Sequence, residues 1–216
     1  MRIIAGEARG IILETLDGEE TRPTLGRVKE NFFNALNFAV QGARVLDLFA
    51  GSGQLGLEAL SRGAREAVFI DSSAECVEII KRNAKKTKLY DKCRINRRDY
   101  SGYLSGLKKQ NNLNLINLNE SESEKFDIVF IDPPYDPDMR MVKDSVSRLV
   151  KNSIVSNGGL IICETGNGKQ PDFAEDVVRR IDNKNSKIYK YGKVYITVLT
   201  VTVDDIGGRG EVSGDE

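Results

Sequence analysis

The sequence predicts an α/β fold with a mostly parallel sheet whose two faces are covered by helices. Two observations predict it. From Arg44 onwards, short apolar runs alternate with stretches of helical spacing, and the apolar runs are typical of strands buried on both faces. The predicted strands are Val45–Phe49, Ala67–Ile70, Arg94–Asn96, Phe126–Ile131, Leu160–Cys163 and Val194–Val203. The predicted helices are Leu55–Ser61, Ala74–Thr87, Ser101–Lys108, Met139–Lys151 and Phe173–Ile181.

Both ends of the predicted sheet carry additions. Ser186–Tyr191 precedes the last strand through Gly192, which favours an antiparallel hairpin that supplies a seventh strand. At the N-terminus, apolar and polar residues alternate weakly over Arg2–Thr15, around Gly6 and Gly10. We interpret this stretch as a hairpin of short strands. The residues that follow predict a helix with Thr24 as its N-cap and Gly42 at its end.

These patterns divide the chain into three parts. Residues 1–23 form an N-terminal hairpin extension, residues 24–203 form the main domain, and residues 204–216 form an acidic tail that we interpret as disordered. Within the main domain, residues 108–125 contain five Asn and three Glu. This polar bias predicts a flexible surface insertion.

The composition excludes several classes of chemistry. None of the 216 residues is His, so the chain cannot build a Ser-His-Asp triad, a Cys–His pair or a histidine-ligated metal site. The three cysteines are far apart, which predicts buried or half-buried, reduced thiols and neither a disulfide framework nor a zinc site. The sequence has no apolar run long enough to span a membrane and no signal peptide, so we expect a cytoplasmic protein.

The charges balance overall, with 32 Lys+Arg against 32 Asp+Glu, but the acidic tail leaves the body mildly basic. A mildly basic body permits a nucleic-acid partner without requiring one. The run Lys81–Arg98 concentrates basic residues, either as a solvated helix face or as a patch that contacts phosphates.

A glycine-rich motif follows the first predicted strand. Asp47 lies inside the end of this strand, Asp71 ends the next one, and between them Gly51, Gly53 and Gly56 form the pattern G-x-G-x-x-G. Glycines let a ligand approach the backbone, and an acid at the second strand end can bind ribose hydroxyls. The spacing alone fits a dinucleotide enzyme as well as a methyltransferase. Asp47 favours the methyltransferase, because a carboxylate there would repel a pyrophosphate but attract the ammonium and sulfonium groups of S-adenosylmethionine.

A second motif, Asp132-Pro133-Pro134-Tyr135, follows the predicted strand Phe126–Ile131, at the edge of the sheet where ligands bind in open α/β folds. The Asp132 carboxylate and the Pro133 carbonyl can accept both hydrogens of an exocyclic amine and favour a pyramidal nitrogen. Tyr135 can stack on the base that carries this amine. No cysteine lies in this loop, which argues against a route through a thiolate nucleophile.

Several stretches resemble one family of methyltransferases. Asp132–Tyr135 resembles the signature of enzymes that methylate adenine N6 or guanine N2, and Asp47–Ser61 is similar to the corresponding stretch of bacterial RsmD-type enzymes. The N-terminal stretches similar to those enzymes are Arg2–Gly6, Arg22–Thr24, Arg27–Glu30 and Phe33–Leu36. Enzymes of this family methylate N2 of one guanine in 16S ribosomal RNA. The resemblance implies their seven-stranded, Rossmann-like S-adenosylmethionine-dependent methyltransferase fold and the same reaction.

The resemblance also implies roles for individual residues. The cofactor site would comprise Asp47, Phe49, Ala50, Gly51, Ser52, Gly53, Asp71, Ser72 and Asp99. The catalytic residues would be Asp132, Pro133, Pro134 and Tyr135, and the RNA-binding residues would be Arg2, Arg9, Arg22, Thr24 and Arg27. Asp99 equally fits an N-cap of the following helix. The arginines suit phosphates and unpaired bases, but they equally fit surface ion pairs with Glu7, Glu14, Glu19, Glu20 and Glu30.

The implied partner is 16S rRNA, either free or in an assembling small ribosomal subunit, and we expect a monomer that needs no metal and no membrane. Two rival functions stay open. One is adenine-N6 methylation of DNA, although a core of about 170 residues leaves no room for a separate recognition domain. The other is a catalytically inactive nucleic-acid-binding relative, against which the intact Asp47, Asp71 and Asp132 argue. Asp47 also disfavours NAD-dependent oxidoreduction.

Overall fold

The structure is a computed structural model that describes residues 1–16, 32–34, 36–114, 125–134, 138–165, 172–191 and 194–202. The strands are β1 (Arg44–Asp47), β2 (Glu66–Asp71), β3 (Cys93–Arg97), β4 (Phe126–Ile131), β5 (Val155–Thr165), β6 (Ile181–Tyr191) and β7 (Val194–Val201). They form one sheet in the order β3-β2-β1-β4-β5-β7-β6. The first five strands in this order are parallel, whereas β7 runs antiparallel to both β5 and β6. The predicted seven-stranded, mostly parallel α/β sheet is confirmed.

The helices lie between the strands in the alternation that the sequence predicts. They are α1 (Asn37–Val40), α2 (Gln54–Ser61), α3 (Ala74–Lys86), α4 (Tyr100–Asn114), α5 (Arg140–Lys151) and α6 (Glu175–Val178). A short 3-10 turn, Tyr90–Lys92, precedes β3. In the part of the chain that the structure describes, no helix is both long and apolar enough to cross a bilayer.

Several predicted boundaries are wrong. The strand expected to end at Phe49 ends at Asp47, the strand expected over Leu160–Cys163 extends over Val155–Thr165, and the hairpin strand expected from Ser186 begins at Ile181.

Two helices also differ. The helix expected to end at Lys108 continues to Asn114, because lysine and glutamine favour a helix and asparagine opposes it only mildly. The helix expected over Phe173–Ile181 is limited to Glu175–Val178, because Ile181 pairs with Val201 and is buried as the first residue of β6. The rest of the predicted insertion, the boundary near residue 23 and the acidic tail lie outside the described residues.

The sheet separates two apolar clusters, because successive side chains of a strand point to opposite faces. What we call the front face carries Phe69, Phe130 and Ile162 and is covered by α1, α2, α3 and the N-terminal residues. The back face carries Ile70, Ile131 and Cys163 and is covered by α4, α5 and α6. Burial on both faces explains why β1, β2 and β4 are apolar throughout their central positions.

The N-terminal segment, residues 1–16, doubles back on itself and packs at the end of α2. One antiparallel bridge joins Arg2 to Ile12, so the predicted hairpin rests on a single bridge instead of regular strands. Its buried apolar side chains on the front face are Ile3, Ala8 and Leu13. The segment is therefore part of the main core.

A buried charge on α2 holds this segment in place. The Glu58 carboxylate accepts the backbone N–H groups of Ile4 at 2.7 Å and Ala5 at 3.1 Å, and it pairs with the Arg62 Nε at 2.6 Å. The Arg62 guanidinium lies 5.0 Å from the ring centre of Phe33. Removing one member of such a buried pair is costly because it leaves the other charge uncompensated. The N-terminal segment and α2 therefore depend on each other.

Gly6 marks the closest contact between the two. Its φ is +83°, and a Cβ added there would lie 1.7 Å from the Ser61 carbonyl oxygen. Gly10 has a similar φ of +87°, but a Cβ added there would meet nothing within 4 Å.

We expect Gly10→Ala to lower the free energy of unfolding by about 1 kcal/mol through backbone strain alone. Gly6→Ala should lower it by about 2–4 kcal/mol, because steric overlap adds to that strain. Urea unfolding measures both losses, and equal losses would contradict this packing.

Candidate functional site

A cavity of about 820 Å³ opens at the carboxyl ends of the parallel strands. This is the edge at which open α/β sheets bind ligands, and the volume is within the range of small-molecule and cofactor sites, roughly 300–1,000 Å³. Eleven of the residues predicted for a site line it: Asp47, Phe49, Ala50, Gly51, Ser52, Asp71, Ser72, Asp99, Asp132, Pro133 and Pro134. Gly53 is buried, and a Cβ added there would lie 3.2 Å from the Ile80 side chain.

Three of the lining acids occupy equivalent places on neighbouring strands. Asp47, the last residue of β1, is level with Phe69 on β2 and with Phe130 on β4. Asp71 and Asp132 each come two residues after these partners. A step of two residues returns a side chain to the same face of a strand. All three carboxylates therefore belong to the front face.

A fourth acid, Glu164, continues this row on β5. Ile131, the last residue of β4, pairs with Cys163 of β5. This register places Asp132, the residue after β4, beside Glu164 of β5. Glu164 lines the same cavity and is half-buried. We call Asp47, Asp71, Asp132 and Glu164 the carboxylate row. No motif in the sequence marks Glu164, because its place depends on the register of β4 with β5.

Asp47 joins the end of β1 to the start of α2. It is 2% exposed, and its Oδ2 accepts the backbone N–H of Gly56 at 2.9 Å. A carboxylate at the first turn of a helix is also favoured by the helix dipole. A Cβ on Gly56 would lie 2.3 Å from the ring of Phe69, so only glycine fits there. The third glycine of the motif therefore serves packing between helix and sheet.

Asp71 shapes the glycine loop from the neighbouring strand. One of its oxygens accepts the backbone N–H of Gly51 at 2.9 Å, and the other accepts that of Ser73 at 2.8 Å. Gly51 has a φ of +53°, and its missing Cβ would meet nothing within 4 Å. The loop is thus held by a carboxylate on one side and leaves open space at Gly51 for a ligand on the other.

Asn83 connects the glycine loop to the N-terminal segment, and the sequence motifs missed it. Its Nδ2 donates to the carbonyls of Ser52 and Glu14, both at 2.9 Å, and its Oδ1 accepts the Glu14 N–H at 2.8 Å. Met1 and Leu16 of the segment also line the cavity. The available signal was an asparagine on the apolar stripe of a helix, since Asn83 shares the buried side of α3 with Ile79 and Ile80.

Part of the cavity wall is aromatic and acidic. The rings of Phe49 and Tyr100 lie 5.1 Å apart, and both line the cavity. Asp99 accepts the backbone N–H of Gly102 at 2.8 Å through its Oδ1, as an N-cap of α4 does. It also lines the cavity, so the structure gives Asp99 the capping contact and a place at the candidate site.

Negative charge dominates the cavity wall. Among the described lining residues, five are acids and only Arg98 is a basic side chain. An acidic, partly enclosed wall favours a ligand that carries positive charge. Within the described residues, no group of three or more Cys, Asp or Glu side chains is arranged to hold a metal ion.

All three cysteines are buried and free, as the sequence predicts. Burial raises the pKa of the Cys93 thiol to about 12 and that of the Cys163 thiol to about 12. The nucleophilic form of cysteine is the thiolate, so these two residues stay protonated and unreactive near neutral pH.

The predicted RNA-binding residues fall in two groups. Arg2 and Arg9 are exposed, and within the described residues their side chains make no hydrogen bond or ion pair. The acids considered as their partners pair elsewhere: Glu7 with Lys92 at 2.8 Å and Glu14 with Arg82 at 2.6 Å. The Arg82 side chain also holds the pKa of Glu14 below its usual value. Arg22, Thr24, Arg27 and Tyr135 lie outside the described residues.

Comparison with known proteins finds relatives that match most of the chain. The family described as Conserved hypothetical protein 95 matches residues 1–198. A putative rRNA methyltransferase, YlbH of Bacillus subtilis, is 33% identical over 164 residues, which cover 76% of this chain and 82% of that protein. Ribosomal RNA small subunit methyltransferase D of Haemophilus influenzae is 34% identical over 169 residues, which cover 78% of this chain and 80% of that protein.

A solved structure shares the fold over nearly its whole length. It is a putative methyltransferase, yhhF, from Escherichia coli, with a TM-score of 0.73 and 27% sequence identity. The match covers 94% of this chain and 98% of that one.

Proposed function

Because the chain belongs to the RsmD-type family of methyltransferases, we propose that it transfers a methyl group from S-adenosylmethionine to the exocyclic N2 of a guanine in 16S ribosomal RNA. One observation carries the proposal: the glycine loop and the Asp132-Pro133-Pro134 turn line the same cavity, together with the four acids of the carboxylate row. When bound, S-adenosylmethionine supplies an electrophilic methyl group on a positively charged sulfur. The RNA substrate is either free or part of an assembling small subunit.

The cofactor half of the cavity lies over β1 and β2. Asp71 holds the ribose through its hydroxyls while it orders the Gly51 loop, because a carboxylate oxygen can accept more than one hydrogen bond. Asp47, which lines the same cavity, would hold the methionine half, because its negative charge attracts the ammonium and sulfonium groups. The apolar wall of Phe49 and Tyr100 suits the adenine ring, beside Asp99.

The chemistry takes place over β4. The lone pair of a guanine amine is delocalised into the ring, so the amine is a weak nucleophile. Acceptors at the Asp132 carboxylate and the Pro133 carbonyl hold its two hydrogens and favour the pyramidal nitrogen of the transition state. Methyl transfer would form the nitrogen–carbon bond, break the sulfur–carbon bond and release the neutral thioether product of the cofactor, and the Asp132 carboxylate would accept the proton that the nitrogen loses. A thiolate route is disfavoured, since no cysteine lies in the Asp132-Pro133-Pro134-Tyr135 loop that would hold the base.

The N-terminal segment supplies the contact with RNA in this proposal. Arg2 and Arg9 are exposed, lack side-chain partners in the described part of the chain, and lie on a segment that reaches the cavity through Met1 and Leu16. The guanidinium group binds phosphates bidentately and stacks on unpaired bases. Tyr135 is proposed to stack on the target guanine.

Asp71 provides the test of cofactor binding. Asp71→Ala should weaken S-adenosylmethionine binding by about 1.5–3 kcal/mol, because it removes charged hydrogen bonds to the ribose and loosens the Gly51 loop. Asp182→Ala is the matched control, since Asp182 also accepts backbone N–H groups, from Lys184 and Asn185, but on β6. Calorimetry measures both affinities. An unchanged affinity for Asp71→Ala would remove this residue from the cofactor site.

Asp132 provides the test of the chemical step. Asp132→Ala should lower kcat about 100- to 1,000-fold, the usual cost of losing one group aimed at transition-state charge, while cofactor affinity stays close to that of the wild type. Asp144→Ala is the control, because Asp144 pairs with Arg148 on α5. Methyl transfer to rRNA is followed with labelled cofactor. Near-normal turnover in Asp132→Ala would contradict the proposed mechanism.

The double variant Arg2→Ala/Arg9→Ala provides the test of RNA contact. It should fold and bind cofactor like the wild type, but RNA binding should weaken. A plot of the logarithm of the RNA-binding constant against the logarithm of the salt concentration should be less steep, by about 0.7 in slope for each lost phosphate contact. The control is Arg140→Ala/Arg179→Ala, in which both arginines are already ion-paired, with Asp138 and Glu175. If RNA binding across a salt series matches the wild type, the segment only supports the fold.

A further inference from the structure

Glu164 lies beside the proposed catalytic turn. Asp132 directly follows Ile131, the last residue of β4, and Ile131 pairs with Cys163, the residue before Glu164 on β5. Adjacent strands are about 4.8 Å apart, so this register places the two acids side by side. Both residues line the cavity. Phe130 and Ile162, two positions before them, lie on the front face, and the alternation of side chains assigns Asp132 and Glu164 to the same face. One flat base edge placed at Asp132 therefore reaches the Glu164 carboxylate as well.

Guanine and adenine differ at the ring position next to the amine. In guanine, the ring nitrogen N1 carries a hydrogen and is a donor beside the N2 amine. In adenine, N1 is an acceptor beside the N6 amine. An ionised carboxylate can only accept hydrogen bonds, so it pairs with the guanine edge and repels the adenine edge.

We propose that Glu164 is the residue that selects guanine, by accepting the N1 hydrogen while Asp132 and Pro133 hold the N2 amine. The inference rests on the proposed function, because it names the group that reads the base at the same site. Adenine would place its N1 lone pair against the Glu164 carboxylate. Both of these groups are acceptors, so neither would find a donor. A site built to hydrogen-bond a donor strongly rejects analogues that lack it.

The position of Glu164 in the sheet separates this role from cofactor binding. Glu164 is on β5, and β1 and β4 lie between it and Asp71 on β2. Three strand spacings amount to about 14 Å, which puts Glu164 beyond the reach of the ribose held by Asp71. A change at Glu164 should therefore alter the choice of base and leave cofactor affinity unchanged.

The experiment compares two bases at the position that the wild-type enzyme methylates, first mapped by mass spectrometry. Small subunits are reconstituted with 16S rRNA that carries either guanine or 2-aminopurine there. 2-Aminopurine keeps the 2-amino group, but its N1 is an acceptor. The wild type should prefer guanine in kcat/KM by about 10- to 100-fold. Glu164→Gln should reduce this preference at least tenfold, since the glutamine amide can donate to N1 of 2-aminopurine.

Two controls make the result specific. Glu175→Gln alters an exposed acid on α6 and should keep the wild-type preference. Calorimetry should give the same cofactor affinity for Glu164→Gln as for the wild type, which shows that the variant is folded. A Glu164→Gln enzyme that slows equally on both bases, with the preference unchanged, would overturn the inference alone. A wild type that methylates neither base would overturn the proposed function, and the inference with it.

Discussion

The register of the central strands determines where the chemistry of this protein can occur. Because β2, β1, β4 and β5 are parallel and paired at matching positions, acids near their ends point to one face and form the carboxylate row. A shift of one residue in any pairing would move an acid to the back face, among apolar side chains. Two of these acids also hold the backbone around them: Asp47 holds Gly56, and Asp71 holds Gly51.

The N-terminal segment depends on the same framework. Glu58 binds its first residues from α2, while Asn83 binds Glu14 and the glycine loop together from α3. The Glu58 and Asn83 side chains are both 1% exposed. Removing a hydrogen-bond partner from such a buried polar group lowers stability, because the group cannot bond to water instead. The segment proposed to contact RNA is therefore attached to the two helices that flank the proposed cofactor loop. We expect RNA and cofactor binding to influence each other through these contacts.

The sequence predicts those parts of the fold and site that depend on neighbouring residues. Phe126–Ile131 is a strand at the predicted limits, and Asp47, Asp71 and Asp132 are all found at the cavity, because each stands in a motif beside a recognisable strand. Glu164 and Asn83 could not be predicted in this way, since one depends on strand register and the other on a contact between distant segments. The prediction that Ile181 ends a helix is wrong, because it is the first residue of β6 and pairs with Val201 of β7. An apolar residue at this position fits a helix or a strand equally well until that pairing is known.

The most direct measurement is the identity of the methylated nucleoside. The protein is incubated with small-subunit rRNA, free and assembled, and with S-adenosylmethionine labelled in its methyl group. The rRNA is then digested to nucleosides and analysed by mass spectrometry. The account predicts that the label is found in N2-methylguanosine. Label in N6-methyladenosine or in a carbon-methylated pyrimidine, or no transfer to rRNA in either form, would contradict it.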